Sequence, residues 1–262
     1  MRIQNCGVLL TGASGGIGRA LALELARRQC RVVLVARREA ELLSVAEEVR
    51  AHGGQAMILS GNVADANFQE EVARKAAPFL APWRVVLANA GIGFHGAALE
   101  CSSEQWDKVL QVNLQGAVAT LRAAYPWLHR PAVLGVMSSL SGLIPYRGGA
   151  AYAASKAGLN AFLRCLRLEA AREQMVVGWL CPGPVATPMI VEGVPWKKLP
   201  PLARMTVPVL SPQRVARAFL RLLERGGGEK VIPLQAAFFA SFYRHFPRTA
   251  EMVLRLFGAG EV

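Results

Sequence analysis

Short apolar runs alternate with longer amphipathic segments through most of this chain of 262 residues. The apolar runs predict strands at Val8–Leu10, Arg31–Val35, Ala56–Leu59, Val85–Ala88, Ala132–Met137, Val176–Leu180 and Lys230–Ile232. The segments between them predict helices over Ile17–Arg28, Glu39–His52, Asn67–Ala77, Trp106–Leu128, Ala151–Arg172 and Pro212–Glu224. Because alternating strands and helices pair in parallel through right-handed crossovers, we expect one doubly wound α/β domain over 1–262. Its seven-stranded, mostly parallel sheet would have helices on both faces.

The composition fits such a domain and excludes several other classes. Hydrophobic residues make up 53% of the chain and charged residues 18%, which is typical of a compact globule. The five cysteines and four histidines are scattered, so neither a disulfide framework nor a metal site is expected. No uncharged run reaches the length that crosses a membrane, and no signal peptide precedes the first strand. We therefore expect a cytoplasmic protein, although peripheral membrane association stays open.

The formal net charge of +12 indicates attraction to an anionic partner or, in part, a generic solvated surface. Candidates are a nucleic acid, an anionic lipid surface or a phosphorylated cofactor. The basic residues are spread from Arg2 to Arg255, with no block in which arginine or lysine alternates with aromatic residues. We therefore expect no nucleic-acid partner.

A glycine-rich turn, TGASGGIG at 11–18, lies directly between the first predicted strand and the first predicted helix. Glycines mark many ordinary loops, but in this position they form a tight turn with bare backbone that a pyrophosphate can approach. The helix that follows offers unpaired N–H groups, which favour anions. The turn therefore predicts a dinucleotide site with contacts from Gly12, Ser14, Gly16, Ile17 and Gly18.

The end of the second predicted strand indicates which dinucleotide binds. A fold of this type that is specific for NAD places an acidic residue there, on the ribose hydroxyls. This chain has Ala36 at that position, followed by Arg37 and Arg38. Guanidinium groups match the geometry of a phosphate, and arginines at a helix start are otherwise disfavoured by the helix dipole. The pattern favours NADP, and NAD is the less favoured alternative.

Tyr152 and Lys156 are four residues apart in the alanine-rich run AAYAASKAGLNAF. This spacing places both side chains on one face of a helix. Such pairs also occur by chance, with the lysine pointing into solvent. The five residues YAASK therefore do not decide by themselves between a structural pair and an acid–base pair.

Six motifs together resemble the short-chain dehydrogenase/reductase family, in its compact single-domain branch, over nearly the full length of the chain. In chain order they are TGASGGIG at 11–18, Ala88–Gly91, Asn113 in QVNLQG, Ser139 in MSSLSG, Tyr152 with Lys156 in YAASK, and CPGPVAT at 181–187. The resemblance implies a Rossmann fold that binds NADP(H) and transfers hydride between the nicotinamide and a ketone or secondary alcohol. It also implies a homodimer or homotetramer.

The resemblance implies a catalytic tetrad of Asn113, Ser139, Tyr152 and Lys156. Tyr152 would exchange a proton with the substrate oxygen, and Ser139, rather than its neighbour Ser138, would orient that oxygen. Lys156 would hold the nicotinamide ribose, and its ammonium would favour the phenolate by lowering the pKa of Tyr152. Asn113 would hold a water molecule that relays protons to Lys156.

Further cofactor contacts are implied at positions matching the family motifs, namely Asn62, Val63, Asn89, Pro182, Gly183, Val185, Thr187 and both catalytic residues Tyr152 and Lys156. Two positions depart from the family pattern. Asn62 stands where an aspartate is common, but its amide oxygen can still accept a hydrogen bond from adenine. Ala88 replaces the first of two asparagines and removes one amide. Neither change affects the predicted chemistry.

Two segments bear on the substrate. The stretch 189–210 is rich in apolar residues and proline, which favours a loop that closes over an apolar or lipid-like substrate, although subunit packing would give the same pattern. The segment 235–258 predicts an atypical helix with Phe238, Phe239, Phe242 and Phe246 at helical spacing, arginines nearby and Pro247 breaking the run. This helix would either pack on protein or lie in a membrane interface.

Two classes of function are compatible with the sequence. The first is an enzyme acting on a 3-oxoacyl, steroid or sphingoid type of carbonyl, which the sequence does not separate. The second is a non-catalytic dinucleotide sensor or scaffold. A sensor has no need of the complete tetrad, so the sequence favours the enzyme.

Overall fold

Seven strands pair into one sheet in the order β3-β2-β1-β4-β5-β6-β7, and every paired neighbour is parallel. The computed structural model describes residues 2–189 and 208–256. The strands are β1 (Gly7–Thr11), β2 (Arg31–Ala36), β3 (Gln55–Ser60), β4 (Trp83–Ala88), β5 (Ala132–Met137), β6 (Met175–Pro182) and β7 (Gly228–Ile232). The predicted doubly wound fold is confirmed, with strand ends shifted by one or two residues.

Helices cover both faces of this sheet. They are α1 (Gly16–Ala26), α2 (Glu39–Ala51), α3 (Ala66–Leu80), α4 (Ser103–Leu110), α5 (Gly116–Ala124), α6 (Ala150–Ala170), α7 (Pro212–Glu224), α8 (Leu234–His245) and α9 (Pro247–Leu256). One buried cluster combines side chains of α1, α2 and α7 with alternate residues of β1 such as Val8 and Leu10. The other combines α3, α5 and α6 with the opposite face, including Leu9. The alternation along β1 thus divides the core into two layers.

The helix predicted over Trp106–Leu128 is wrong in its bounds and continuity. It begins earlier, at Ser103, because Ser102 and Gln105 form a capping box. It is then interrupted by a π-helical turn at Gln111–Gln115 between α4 and α5. The turn places Asn113 where its side chain meets the backbone of Ile92, a tertiary contact that local helix propensity does not reveal.

The single helix predicted over 235–258 is also wrong, since this part forms α8 and then α9. The break falls at Phe246, immediately before Pro247, because proline has no N–H to continue the helix and restricts the residue before it. α8 buries Ala236, and α9 buries Ala250. Most of the predicted substrate loop 189–210 lies outside the described residues.

The carboxyl ends of the parallel strands meet at one edge of the sheet, which positions the site. β1 lies between β2 and β4, so the strand order reverses there. Ligands of doubly wound sheets bind in the crevice beside such a reversal. No helix in the described part of the chain is long and apolar enough to span a membrane.

Candidate active site

The glycine-rich turn follows β1 at this crevice and is shaped by close backbone contacts. Gly12 has a φ of +66°, and a Cβ there would lie 2.7 Å from the Cα of Ala90. A Cβ on Gly18 would lie 1.9 Å from the carbonyl oxygen of Gly12. Both positions therefore require glycine. Gly15 precedes α1 without a side chain to cap it, so the first-turn N–H groups of α1 stay available for phosphate oxygens.

Asn89 fixes the turn from the neighbouring strand. Its Nδ2 donates to the carbonyl oxygens of Thr11 and Gly12 at 3.1 and 3.2 Å. The Thr11 hydroxyl in turn accepts from the backbone N–H groups of Asn89 and Ala90 at 3.1 and 3.2 Å. Thr11 was not predicted as a site residue, although it begins the glycine-rich motif, because the glycines of that motif indicated the turn and not the side chain that holds it. Thr11 and Asn89 therefore hold the glycine-rich turn in place.

Arg37 and Arg38 lie at the end of the same crevice, after β2. Both are exposed and line the cavity. Arg38 donates to the Ser14 hydroxyl at 3.4 Å and pairs with Glu41 at 3.1 Å, which directs its guanidinium across the mouth of the turn. Asn62 also lines the cavity, and its Oδ1 accepts from the N–H of Ala64 at 3.1 Å. A second lone pair of that oxygen stays available to a ligand.

A cavity of about 1300 Å³ joins the glycine-rich turn to the predicted catalytic residues. All the predicted cofactor-binding residues line it, together with Ser139, Tyr152 and Lys156. Asn113 lies behind the cavity lining, where it is fully buried. The structure thus brings the tetrad to one place, with three members at the cavity surface and one beneath it.

The two adjacent serines after β5 point in different directions. Ser138 donates to Oδ1 of Asn160 at 2.5 Å in the interior. Ser139 accepts from the N–H of Ser141 at 3.1 Å and is also hydrogen-bonded to Tyr152. The position of Ser139 suits contact with a substrate oxygen, whereas the Ser138 hydroxyl is already used.

Burial controls the ionisation of the Tyr152–Lys156 pair. It raises the pKa of Tyr152 above its ordinary value, and the hydrogen bond from Ser139 opposes this only in part. Burial also lowers the pKa of Lys156 to about 8. Burial therefore has the larger effect on the Tyr152 pKa, because loss of hydration disfavours the phenolate, and the lowering by Lys156 stays a prediction. A protonated phenol suits donation to a carbonyl oxygen.

Lys156 and Asn113 are held by the backbone around them. Nζ of Lys156 donates to the carbonyl oxygen of Met137 at 3.0 Å and lies 5.9 Å from the centre of the Tyr152 ring. Asn113 accepts from the N–H of Ile92 at 2.8 Å and donates to the carbonyl oxygen of Ile92 at 2.9 Å. It also donates to Ser155 at 3.1 Å. The Asn113 amide therefore joins the segment after β4 to α6, the helix that carries Tyr152 and Lys156.

The segment after β6 closes the cofactor side of the cavity. The N–H of Gly183 donates to the carbonyl oxygen of Ile232 at 2.7 Å, which ties the segment to β7. A Cβ on Gly16 would lie 3.0 Å from Cγ2 of Thr187. Because Thr187 contacts the glycine-rich turn, that turn and the segment with Pro182 and Gly183 form one continuous surface.

Several cavity residues were not predicted as site residues from the sequence. Tyr146 lines the cavity, and burial, with a smaller effect of Tyr152, raises its pKa to about 12. Phe238, Phe239 and Phe242 line it from α8, and Leu254 from α9. Helical spacing indicated that the phenylalanines share a face, but it did not indicate what that face meets.

The parallel sheet, the glycine-rich turn at its reversal point and the Tyr152–Lys156 pair are together typical of an oxidoreductase with a doubly wound fold. The family model of short chain dehydrogenases matches residues 7–198. The chain therefore belongs to the short-chain dehydrogenase family. Among the described residues no group of three or more histidine, cysteine or acidic side chains forms a metal site.

Similar proteins have names consistent with this membership. An uncharacterized oxidoreductase of Staphylococcus epidermidis is 30% identical over 183 residues, covering 69% of this chain and 78% of the relative. A probable tetrahydroxynaphthalene reductase of Zymoseptoria tritici is 28% identical over 192 residues, covering 72% and 71%. A solved alcohol dehydrogenase of the archaeon Thermococcus sibiricus, complexed with 5-hydroxy-NADP, has a TM-score of 0.75 at 28% identity, with 86% of this chain and 94% of that one covered.

Proposed function

We propose that this protein is an NADP(H)-dependent oxidoreductase that interconverts a ketone and a secondary alcohol. The observation that carries the proposal is the single cavity shared by Ser139, Tyr152, Lys156 and the glycine-rich turn. A dinucleotide lying from the arginines to Pro182 and Gly183 would end beside the Tyr152 hydroxyl. A sensor or scaffold would require the glycine-rich turn and the arginines, but it would not require Ser139, Tyr152 and Lys156 in the same cavity.

The protein residues divide the work of carbonyl reduction. A nicotinamide cofactor held by these residues would supply the hydride that reduces the carbonyl carbon. Tyr152 donates its phenolic proton to the carbonyl oxygen, and Ser139 donates a hydrogen bond that stabilises the negative charge developing there. Lys156, as an ammonium, holds the ribose and stabilises the phenolate left on Tyr152. In alcohol oxidation Tyr152 takes the proton back, so the same groups serve both directions.

The preference for NADP rests on Arg37 and Arg38. Their guanidinium groups lie at the end of β2, and Ala36 precedes them where an acidic residue would otherwise repel a phosphate. The similar alcohol dehydrogenase of T. sibiricus is complexed with an NADP derivative. We assign Arg37 and Arg38 to the 2′-phosphate of the adenosine ribose.

The substrate is proposed to be apolar or lipid-like, of 3-oxoacyl or similar type. The described side of the cavity away from the glycine-rich turn carries Phe94, Ile144, Met189 and the aromatic residues of α8. Such a lining favours a small carbonyl group attached to a larger apolar body. We also propose a homo-oligomer, which sedimentation of the purified chain would test.

The test is NADPH oxidation by the purified protein with 2-alkanones of increasing chain length, compared with the Tyr152→Phe variant. We expect turnover in the wild type and a loss of at least about 10²- to 10⁴-fold in the variant, because its general acid is gone. NADPH binding, followed by fluorescence titration, should be retained. Wild-type turnover by Tyr152→Phe would contradict the catalytic assignment. NADPH binding without turnover of any ketone or alcohol would favour the sensor.

A further inference from the structure

The α8–α9 pair is positioned over the substrate side of the cavity by its connection to the sheet. β7 is paired in register with β6, with Ile232 opposite Pro182. The N–H of Gly183 also donates to the carbonyl oxygen of Ile232. Because α8 begins two residues later, at Leu234, it leaves the sheet at the same edge as the Pro-Gly segment. The helix thus starts beside the proposed nicotinamide position.

One face of α8 lines the cavity. Its residues Gln235, Phe238, Phe239 and Phe242 occupy positions i, i+3, i+4 and i+7, which lie together on a helix surface. The polar member, Gln235, is nearest the sheet. The three phenylalanines extend from it along about 10 Å of helix axis, given a rise of about 1.5 Å per residue. The face therefore changes from polar to aromatic with distance from the sheet.

This aromatic row (Phe238, Phe239 and Phe242) is only partly buried by the rest of the described chain. Phe238 is 69% exposed and Phe242 37% exposed. Phe239 and Phe242 have ring centres 6.3 Å apart, and α9 adds Val253 and Leu254 to the same lining. α8 is instead anchored through Ala236, which is fully buried. Aromatic surface that faces a cavity and is not buried by its own fold is available to a ligand.

We propose that the aromatic row, with Leu254 of α9, binds the apolar tail of the substrate and sets the chain-length preference of the enzyme. This inference rests on the proposed function, because the carbonyl end of the same molecule would lie at Tyr152. The substrate class is a ketone or secondary alcohol with a flexible apolar chain of several carbons. A short ketone would reach Tyr152 without touching α8 and would gain nothing from it.

The first test compares kcat/KM for 2-butanone and 2-decanone with NADPH. In the wild type, each methylene that becomes buried should raise kcat/KM by up to about fourfold. In the double variant Phe239→Ala with Phe242→Ala, the ratio of the two values should fall by about tenfold or more. Leu234→Ala is the matched control, since Leu234 lies on the same helix, is 68% exposed and is absent from the cavity lining. Its ratio should equal that of the wild type.

A second test does not depend on turnover. Calorimetry should show 2-decanol binding to the wild type and to Leu234→Ala, with affinity reduced by about tenfold in the double phenylalanine variant. Circular dichroism and NADPH binding establish that the double variant is folded. Equal 2-decanol affinity in a folded double variant would overturn the role of the aromatic row, whatever the activity. Conversely, loss of 2-decanol binding without any carbonyl turnover would support the row and refute the proposed reaction.

Discussion

The two sides of the cavity are built in different ways. On the cofactor side, polar side chains have fixed hydrogen-bond partners. The buried Asn113 binds the backbone of Ile92, the half-buried Asn89 binds the glycine-rich turn, and the buried Lys156 donates to the carbonyl oxygen of Met137. On the α8–α9 side the lining is mainly aromatic and aliphatic. Hydride and proton transfer require atoms at defined positions, whereas binding an apolar chain requires mainly area. The residues proposed for the chemistry therefore lie in short sequence motifs, whereas the residues proposed for substrate preference lie on α8, which contains no such motif.

The sharpest test of the cofactor side of the cavity is the pH dependence of kcat/KM for NADPH. Burial lowers the pKa of Lys156 to about 8, so its positive charge is present below this pH and is lost as the pH rises through it. Because the charged form is proposed to hold the ribose, kcat/KM for NADPH should fall about tenfold per pH unit above pH 8. Tyr152, with its raised pKa, stays protonated there. Steady-state kinetics from pH 6 to 10 measure this.

Lys156→Met is the control for that profile. It should have a low kcat/KM for NADPH that does not change across the same pH range. A flat wild-type profile up to pH 10 would show that the charge on Lys156 in the free protein does not govern cofactor capture. Cofactor binding would then depend on the shape and hydrogen bonds of the cofactor side and not on the ionisation of Lys156.

Variants of Arg37 and Arg38 test whether the cofactor side of the cavity also selects NADPH over NADH. Changing both to alanine should lower the preference for NADPH over NADH by about 10- to 100-fold, since charge-assisted hydrogen bonds contribute about 1.5–3 kcal/mol. The loss should appear as a higher KM for NADPH, with the KM for NADH little changed. A control with Arg74→Ala and Arg122→Ala removes the same charge from exposed positions outside the cavity. An equal effect of this control would indicate general attraction by the positive surface.

A variant of Asn113 tests how much the hydrogen bonds on the cofactor side contribute to the stability of the fold. Its amide makes three hydrogen bonds within the described chain, two of them to the backbone of Ile92. Asn113→Ala leaves these buried groups unpaired, so the free energy of unfolding should fall by about 1–3 kcal/mol. Urea unfolding measures this, with Asn67→Ala on the exposed side of α3 as the control. Unchanged stability together with lost turnover would point to the relay role alone.

The sequence predicted the sheet well because strand alternation and burial are local patterns. The bounds of α3 were off by one residue at its start and three at its end. The start depends on a single capping side chain, Asp65, which accepts from the N–H of Asn67. The π-helical turn at Asn113 was not predictable, because a distant backbone group at Ile92 defines it. The direction of the aromatic row was not predictable either. Spacing places these residues on one face, but the exit of α8 from β7 decides that this face meets the cavity.

The smallest expected effect concerns the outer surface of the α8–α9 pair, for which peripheral membrane contact stays a prediction. Arg248 is exposed in the first turn of α9, where the helix dipole disfavours a cation, and Phe246 and Met252 nearby are 58% and 56% exposed. Arginine at an anionic bilayer contributes about 1 kcal/mol. Arg248→Gln should therefore lower partition onto phosphatidylserine-containing vesicles about fivefold in a flotation assay.

The point variant is preferable to deletion from Gln235, because deletion would remove the cavity lining together with the outer surface. Arg248→Gln should leave the ratio of kcat/KM for 2-decanone and 2-butanone unchanged, since Arg248 is not part of the cavity lining. Arg74→Gln, on α3, is the control for net charge. If the wild type does not float with the vesicles at low salt, the membrane prediction is wrong, and the apolar character of α8 serves the interior of the site alone.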